Sequence, residues 1–468
     1  MYSNKRREPR PWLAASLFAR CVLAVFALAM MAGPGLALEP STFRWEAWQD
    51  RLAGTLRATP SSLWLDPPPP DSSRCSWSLR TRASIHDIEG EAAFWPEDDG
   101  LAAGGHLALA KEPRVALRLS ETWRAEGAIL WSVADEVTPQ LRVQTLTLRR
   151  EGERHRVALG REPMRWGPGL QGSLLRGRNA PPLWQISWQT RRPLTAPFFK
   201  NTTWSGSAFF AYLDDPDRRI PRPLLLGHRL SWQPTDWLEL TGTRTILFGG
   251  DNRTSRLNLR RIWEILTVQN ENIVGRRPPS DSDQRASFEA RLQIPLTLGN
   301  WNRAEVYYEY GGEDVNDPPL PSAVAHHYGM VTGAWDHTLV VEFAETVTGA
   351  NRWYRHTLYH NGYFYEGYPL GLALGADAEA LALAIWSPPA DFSWRMLRRE
   401  ETFGFRSRAR ELRVTWELGG RMRRGSWVLE ATLSRARRIG PGRELQAPAF
   451  ARDRAEVRFE KSFGQAKR

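Results

Sequence analysis

The chain has 468 residues, with 22 Trp, 37 Gly, 33 Pro and a formal charge of +11, and its mean hydropathy of −0.47 is low for so aromatic a sequence. A soluble globular chain of this length divides into two or three domains, whereas a single closed sheet can use all of it. After the first forty residues no stretch approaches eighteen apolar residues free of charge, which excludes helical membrane spans beyond that point.

The N-terminus reads as an export signal. Lys5, Arg6, Arg7, Arg10 and Arg20 precede an apolar run from Cys21 to Met31, and Gly35, Leu36 and Ala37 form a small-residue exit before Leu38, Glu39 and Pro40. Residues 1–37 are therefore expected to be a secretory signal peptide. Arg6 and Arg7 lack the rest of a twin-arginine pattern, and Cys21 stands too early in the apolar run for a lipid anchor. Only Cys75 remains after cleavage, so the mature chain has no internal disulfide.

Removing the signal leaves roughly +7 on the mature chain. Two readings of that charge stay open: a coding bias toward Arg, or a preference for anionic surroundings such as lipopolysaccharide phosphate or an acidic polysaccharide. Nucleic acid is not an expected partner, because an exported chain rarely meets it and no binding motif is present.

Residues 38–74 form the next unit. Phe43, Trp45, Trp48, Leu52 and Leu56 follow approximate helical spacing over 41–58, with Ser41 able to cap, and Pro60 and Pro67 to Pro70 end the helix and stiffen the connector. A short periplasmic helical element is predicted there.

From Cys75 to Phe463 the texture becomes short alternating segments. Val115, Leu117 and Leu119 alternate with Ala116, Arg118 and Ser120; Leu412, Val414, Trp416 and Leu418 with Arg413, Thr415 and Glu417; Trp427, Leu429, Ala431 and Leu433 with Glu430, Thr432 and Ser434. A charge on every second residue is costly against lipid but cheap against a wet lumen, so this sidedness favours a transmembrane barrel over a two-sheet sandwich. Gly419 with Gly420 reads as a compact turn, while 214–223, 275–283 and 311–321 read as long polar links. Ala455, Val457 and Phe459 lead to Phe463, the expected end of the last strand, and 464–468 form a tail.

Two segments carry the chemistry. The first runs from Gly160-Arg161-Glu162-Pro163-Met164-Arg165-Trp166-Gly167-Pro168-Gly169 through Gly172-Ser173-Leu174-Leu175 to Asn179-Ala180-Pro181-Pro182. Pro168 between two glycines cannot continue a strand, so Trp166 to Gly169 is expected to form a tight turn or an inward loop. Arg165, Arg176, Arg178 and Asn179 supply donors suited to carboxylates and hydroxyls, and Trp184 and Trp188 offer flat faces for sugar rings. The alternative is that these side chains pack a lumen plug.

The second segment, Trp353-Tyr354-Arg355-His356-Thr357 through Tyr359, Gly362-Tyr363 and Tyr365 to Pro369-Leu370-Gly371 and Asp377-Ala378, is dense in aromatics. It reads equally as a saccharide platform, with Tyr354, His356 and Tyr359 as contacts, or as an interface girdle on adjacent strands.

Together these blocks resemble the capsule assembly protein Wzi family, which has a similar Trp-Gly-Pro-Gly, small-Ser-Leu and Asn-Ala-Pro run and a His-x-x-Tyr, Gly-Tyr and Gly-rich succession. The resemblance spans residues 160–378. It implies an all-β, antiparallel outer-membrane β-barrel of about eighteen strands that binds capsular or extracellular polysaccharide and supports its attachment or assembly at the surface. The candidate saccharide contacts are then Arg165, Trp166, Arg178, Asn179, Trp184, Tyr354, His356 and Tyr359. The 38–74 region looks reduced beside the family's periplasmic helical bundle.

Enzyme chemistry is hard to assemble. No Gly-x-Ser-x-Gly elbow occurs. His356 and His360 have metal spacing only on a helix, and the pairs Glu313-Asp314 and Asp214-Asp215 sit in turn-like surroundings. No metal, cofactor or catalytic residue is expected. The rival functions are a diffusion porin and a glycan- or lipid-modifying enzyme; the oligomeric state is not legible.

Overall fold

The alternation of apolar and charged residues belongs to one closed wall. The computed structural model describes residues 75–89, 93–94, 102–103, 107–134, 137–191, 193–195, 202–216, 218–251, 258–266, 282–294, 301–315, 321–334, 337–347, 353–387, 392–404, 411–439 and 450–463. The expected signal peptide, the 41–58 helix and the 464–468 tail lie outside them.

Eighteen antiparallel strands form the barrel. The first six are β1 (Cys75–Glu89), β2 (Leu107–Arg118), β3 (Trp123–Ala134), β4 (Val137–Glu151), β5 (His155–Glu162) and β6 (Leu183–Thr190). Then come β7 (Thr203–Tyr212), β8 (Leu224–Thr235), β9 (Leu238–Phe248), β10 (Asp283–Ile294), β11 (Trp301–Val315) and β12 (Pro321–Ala334). The ring ends with β13 (His337–Glu345), β14 (Ala378–Trp386), β15 (Phe392–Phe403), β16 (Glu411–Arg424), β17 (Trp427–Ile439) and β18 (Phe450–Phe463). Each strand pairs with the next, and β1 pairs with β18 from Trp77↔Phe463 to Glu89↔Phe450, which closes the ring and leaves no edge.

Period-two alternation decides which side each residue takes. Trp427, Leu429 and Leu433 are exposed on the outside of β17, while Glu430, Thr432 and Ser434 are buried inside. The same holds for Val115 and Leu117 on β2 and for Trp416 and Leu418 on β16. Links at the end carrying Cys75 and Phe463 are mostly short, as at 119–122, 152–154, 236–237 and 425–426, whereas 163–182, 249–282 and 346–377 lie at the other end. Short periplasmic turns and long surface links orient the barrel, with both strand termini on the periplasmic side. Trp77, Trp123, Trp188, Trp237 and Trp427 are exposed near that periplasmic end, the position of an interfacial girdle.

Two loop expectations change. Gly419 and Gly420 do not turn the chain but lie inside β16, because Arg395 packs across Gly419, where an added Cβ would come within 2.8 Å of its Nε. Strand β11 extends through Gly311 to Val315, so the link there is shorter than read. The link 249–282 carries a short helix, α1 (Leu259–Leu266).

Inward-facing charges pair around the wall. Arg80 of β1 meets Glu460 of β18 at 3.0 Å and Glu112 of β2 at 3.7 Å. Arg114 meets Glu112 at 2.6 Å and Glu126 of β3 at 3.0 Å, and Arg149 of β4 joins Glu126 at 3.6 Å to Glu162 of β5 at 3.1 Å. Six neighbouring strands are thus tied by alternating cations and carboxylates rather than lined by one sign of charge.

Candidate functional site

Two surface links turn inward and fill the mouth of the lumen. In 163–182, Pro163 and Pro168 cannot donate to a ladder, and Gly167 and Gly172 adopt φ of 78° and 114°, so β5 ends and the chain folds into a turn closed by a Gly169↔Gly172 bridge. Every residue of 168–182 is buried. Freed backbone donors are satisfied by the wall: Gln171 N–H donates to Glu342 at 2.9 Å, Leu170 N–H donates to the same carboxylate, and Leu174 N–H and Ser173 Oγ each donate to Glu309 at 3.0 Å. His327 lies between these acids, 3.7 Å from Glu309 and 3.5 Å from Glu342.

The second link, 346–377, folds down onto the first. Tyr354 Oη donates to Leu174 O at 2.5 Å and accepts from Leu372 N–H at 2.8 Å, and Tyr363 Oη donates to Leu175 O at 2.8 Å. Gly177 N–H donates to Leu370 O at 2.8 Å, and the Asn179 amide donates to Gly371 O. Their shared apolar core joins Trp166, Leu174, Leu175, Trp353, Tyr354 and Tyr363 to Phe209, Leu225 and Leu247 on one wall and Ala325, Ala344 and Ala380 on another. The links therefore pack against two separate stretches of wall, β7 to β9 and β12 to β14.

Electrostatics hold the second link in place. Arg285 of β10 pairs with Asp283 at 2.9 Å and Glu313 at 2.5 Å, lies 4.5 Å over the Tyr363 ring, and Glu313 accepts from Tyr354 N–H. Burial pushes the Tyr354, Tyr363 and Tyr365 phenols up, and the Tyr368 phenol up to about 12, so these rings stay protonated donors at neutral pH. Burial also lowers the Arg218 pKa, and Arg218 meets Asp215 at 2.6 Å while donating to the carbonyls of Gly362 and Phe364.

The sequence candidates are divided by this arrangement. Trp166, Arg178, Asn179, Tyr354 and Tyr359 are buried within the plug; Trp166 packs 5.2 Å from Phe209, and Tyr359 Oη donates to Gly249 O at 3.2 Å. Arg165 is half-buried and acts electrostatically on Tyr307, at the inner side of the plug. His356 is half-buried, accepting from the backbone N–H groups of Leu358 and Tyr359 through Nδ1 at 3.2 and 3.3 Å. Trp184 stands apart: Gln185 and Ser187 of β6 face the lumen, so Trp184 shares the lipid face with Ile186 and Trp188.

The solvent-facing surface of the plug is made by residues outside the set of candidate contacts. Arg355, Thr357, His360, Asn361 and Glu366 are exposed, as is Arg219 in the 213–223 link, whose N–H donates to Asn361 Oδ1 at 3.0 Å. Their signal was only the polar residues left between the aromatics of the second segment. Among the described residues no group of three or more His, Cys, Asp or Glu is placed to hold a metal ion.

A barrel whose mouth is closed by these two segments matches the family model "Capsule assembly protein Wzi" over residues 123–387, which includes both links. The chain belongs to the Wzi capsule assembly family. Its fold is similar to that of Wzi from Escherichia coli, with a TM-score of 0.64 at 19% identity, covering 82% of this chain and 84% of that one. A 55.8 kDa protein in the cps region of Klebsiella pneumoniae is 30% identical over 170 residues, 36% of this chain and 32% of that protein, so the match spans about a third of that relative. OccAB4 of Acinetobacter baumannii is a more distant likeness, with 9% identity over 84% of this chain and a TM-score of 0.48. As a member of this family with this fold, the protein is a bacterial outer-membrane β-barrel.

Proposed function

We propose that this barrel binds capsular or extracellular polysaccharide at its surface mouth and supports attachment or assembly of that polysaccharide, without catalysing a reaction on it. The observation that carries the reading is the plug: two interlocked links pack into the lumen against the wall, and their exposed surface is polar. The solved E. coli relative is described as a carbohydrate-binding β-barrel involved in group 1 capsule assembly, which supports extending that activity to this chain.

Arg355, His360 and Asn361, with Arg219 alongside, are the proposed contacts. A guanidinium offers paired donors to the carboxylate of an acidic sugar, and the amide and imidazole suit hydroxyls. The buried candidates Arg178, Asn179, Tyr354 and Tyr359 act at one remove, by fixing the links that present this surface. Arg165 and Trp166 belong to the inner face and core of the plug, and Trp184 to the lipid face.

The triple variant R355A/H360A/N361A tests the assignment. Because these side chains are exposed, the barrel should form as before, judged by heat-dependent migration on gels, while affinity for the native surface polysaccharide should fall at least about tenfold, the loss of roughly 1.4 kcal/mol. Unchanged affinity in a folded triple variant rejects this surface as the binding site.

A further inference from the structure

The first link of the plug rests on three buried titratable side chains from adjacent strands: Glu309 of β11, His327 of β12 and Glu342 of β13. Nδ1 of His327 faces Glu309 at 3.7 Å, and Nε2 faces Glu342 at 3.5 Å. Only the imidazolium carries a proton on both nitrogens, so the cation is the form that serves both acids. Gly169 of the link sits directly against this ring, where an added Cβ would come within 2.1 Å of His327 Cε1.

Donors occupy both oxygens of each acid. Glu342 accepts from Leu170 N–H, Gln171 N–H and Tyr307 Oη, and Glu309 accepts from Leu174 N–H, Ser173 Oγ and Ser287 Oγ. All but Tyr307 and Ser287 belong to the link. A carboxylate can take donors on both oxygens, whereas a carboxylic acid turns one oxygen into a donor and sets its hydrogen against an N–H or O–H. The loss is not made good by water, because Leu170 packs with Tyr307, Val331, Val340 and Ala382 over the buried acids.

The surrounding charges leave His327 as the balancing cation. Glu289 of β10, opposite Glu309 in register, pairs with Arg229 at 3.2 Å and Arg291 at 3.0 Å, and Arg291 also reaches Glu239 at 3.6 Å and Glu305 at 4.0 Å. Arg165 and Glu305 act electrostatically on Tyr307, and the Tyr354 phenol of the second link does so on Glu309. Ala382 of β14 stands opposite Glu342 and brings no charge. Among the described residues, His327 is the cationic group within 4.0 Å of either acid.

We propose that Glu309, His327 and Glu342 form a proton-operated clasp, in which two ionised carboxylates around one imidazolium seat the first link and protonation of the carboxylates releases it. Each proton taken up removes an acceptor from the link and weakens the attraction that holds His327 between the acids. The clasp lies at the inner side of the plug, so the inference does not depend on what its outer surface binds.

Hydrogen exchange of the full-length protein in detergent, read by mass spectrometry and corrected for the intrinsic pH dependence of exchange, follows the clasp through peptides covering 168–176. Between about pH 7 and about pH 3.5, a span that crosses the ordinary Glu range, wild-type protection there should fall at least tenfold and recover on return to neutral, while β17 keeps its protection. Gln, like a protonated acid, keeps one accepting oxygen, so E309Q/E342Q should show the low protection already at neutral pH, with little further change in acid. H327Q, which removes the cation, should begin to lose protection at a higher pH than the wild type. If the double variant does not fold, E309Q and E342Q singly are each expected to lower protection several-fold at neutral pH. Unchanged wild-type protection in acid, or loss of β17 protection at the same pH, overturns the proposal. So does a pH dependence that persists undiminished in folded E309Q/E342Q or in both singles, which would move the acid response to the Asp283, Arg285 and Glu313 group that holds the second link.

Discussion

At the scale of single residues, the plug depends on where side chains are missing as much as on where they are present. Gly371 lets Tyr354 reach Leu174 O: a Cβ there would lie 2.1 Å from Tyr354 Oη and 2.3 Å from Leu174 O, inside any allowed contact. Neither obstacle yields easily, since one is backbone and the other a ring held by two hydrogen bonds. G371A should therefore separate the two links at a cost of about 1–3 kcal/mol, the usual penalty for overpacking a tight core. Planar-bilayer recordings should show intermittent openings absent from the wild type, and a silent G371A channel would mean that the links separate without opening the lumen.

The same scale shows what the sequence could and could not tell. Pro168 between glycines announced an inward loop at 166–169; the chain does leave the strand there, and the tight turn itself follows at once, closed by the Gly169↔Gly172 bridge. Arg178 and Asn179 were picked for their donors, but nothing local reveals whether a donor meets a sugar or a carbonyl 192 residues away, as Asn179 does at Gly371. Trp184 looked like a stacking platform because it stood close in sequence to that turn. One residue of strand parity settles it otherwise, since Leu183 faces the lumen and Trp184 faces lipid.

At the scale of elements, strands were legible and links were not. The alternation in β2, β16 and β17 was read with the right residues outward, because period two follows from pleat geometry and needs no tertiary knowledge. The glycines of β16 misled, since a glycine pair signals a turn unless a partner such as Arg395 fills the space above it. The aromatics of 353–365 left a platform and a girdle both open; the structure assigns most of them to a third role, the core of the plug. If that element is what seals the barrel, replacing 353–374 with a short Gly-Ser link should leave the eighteen-strand ring intact while producing steady conductance. An 18-stranded barrel is wide enough for an aqueous channel once its interior is unfilled. Loss of the folded barrel on gels would show instead that the second link is needed to close the wall.

At the scale of the whole molecule, a barrel of porin size has its surface mouth closed by two long links that share one core. Its inner wall alternates Arg and Glu, as in the chain from Glu460 through Arg80, Glu112, Arg114, Glu126 and Arg149 to Glu162. Such pairing stiffens a wall more readily than it selects an ion, because neither sign dominates. A barrel filled by such a plug and presenting polar side chains outward is suited to holding a polymer at the surface rather than to passing small solutes. The most direct measurement is the binding of purified full-length protein to the producing strain's own surface polysaccharide, with a neutral glucan as control and conductance recorded in parallel. Saturable, selective binding by a non-conducting barrel is expected; absence of binding together with steady conductance would contradict the account.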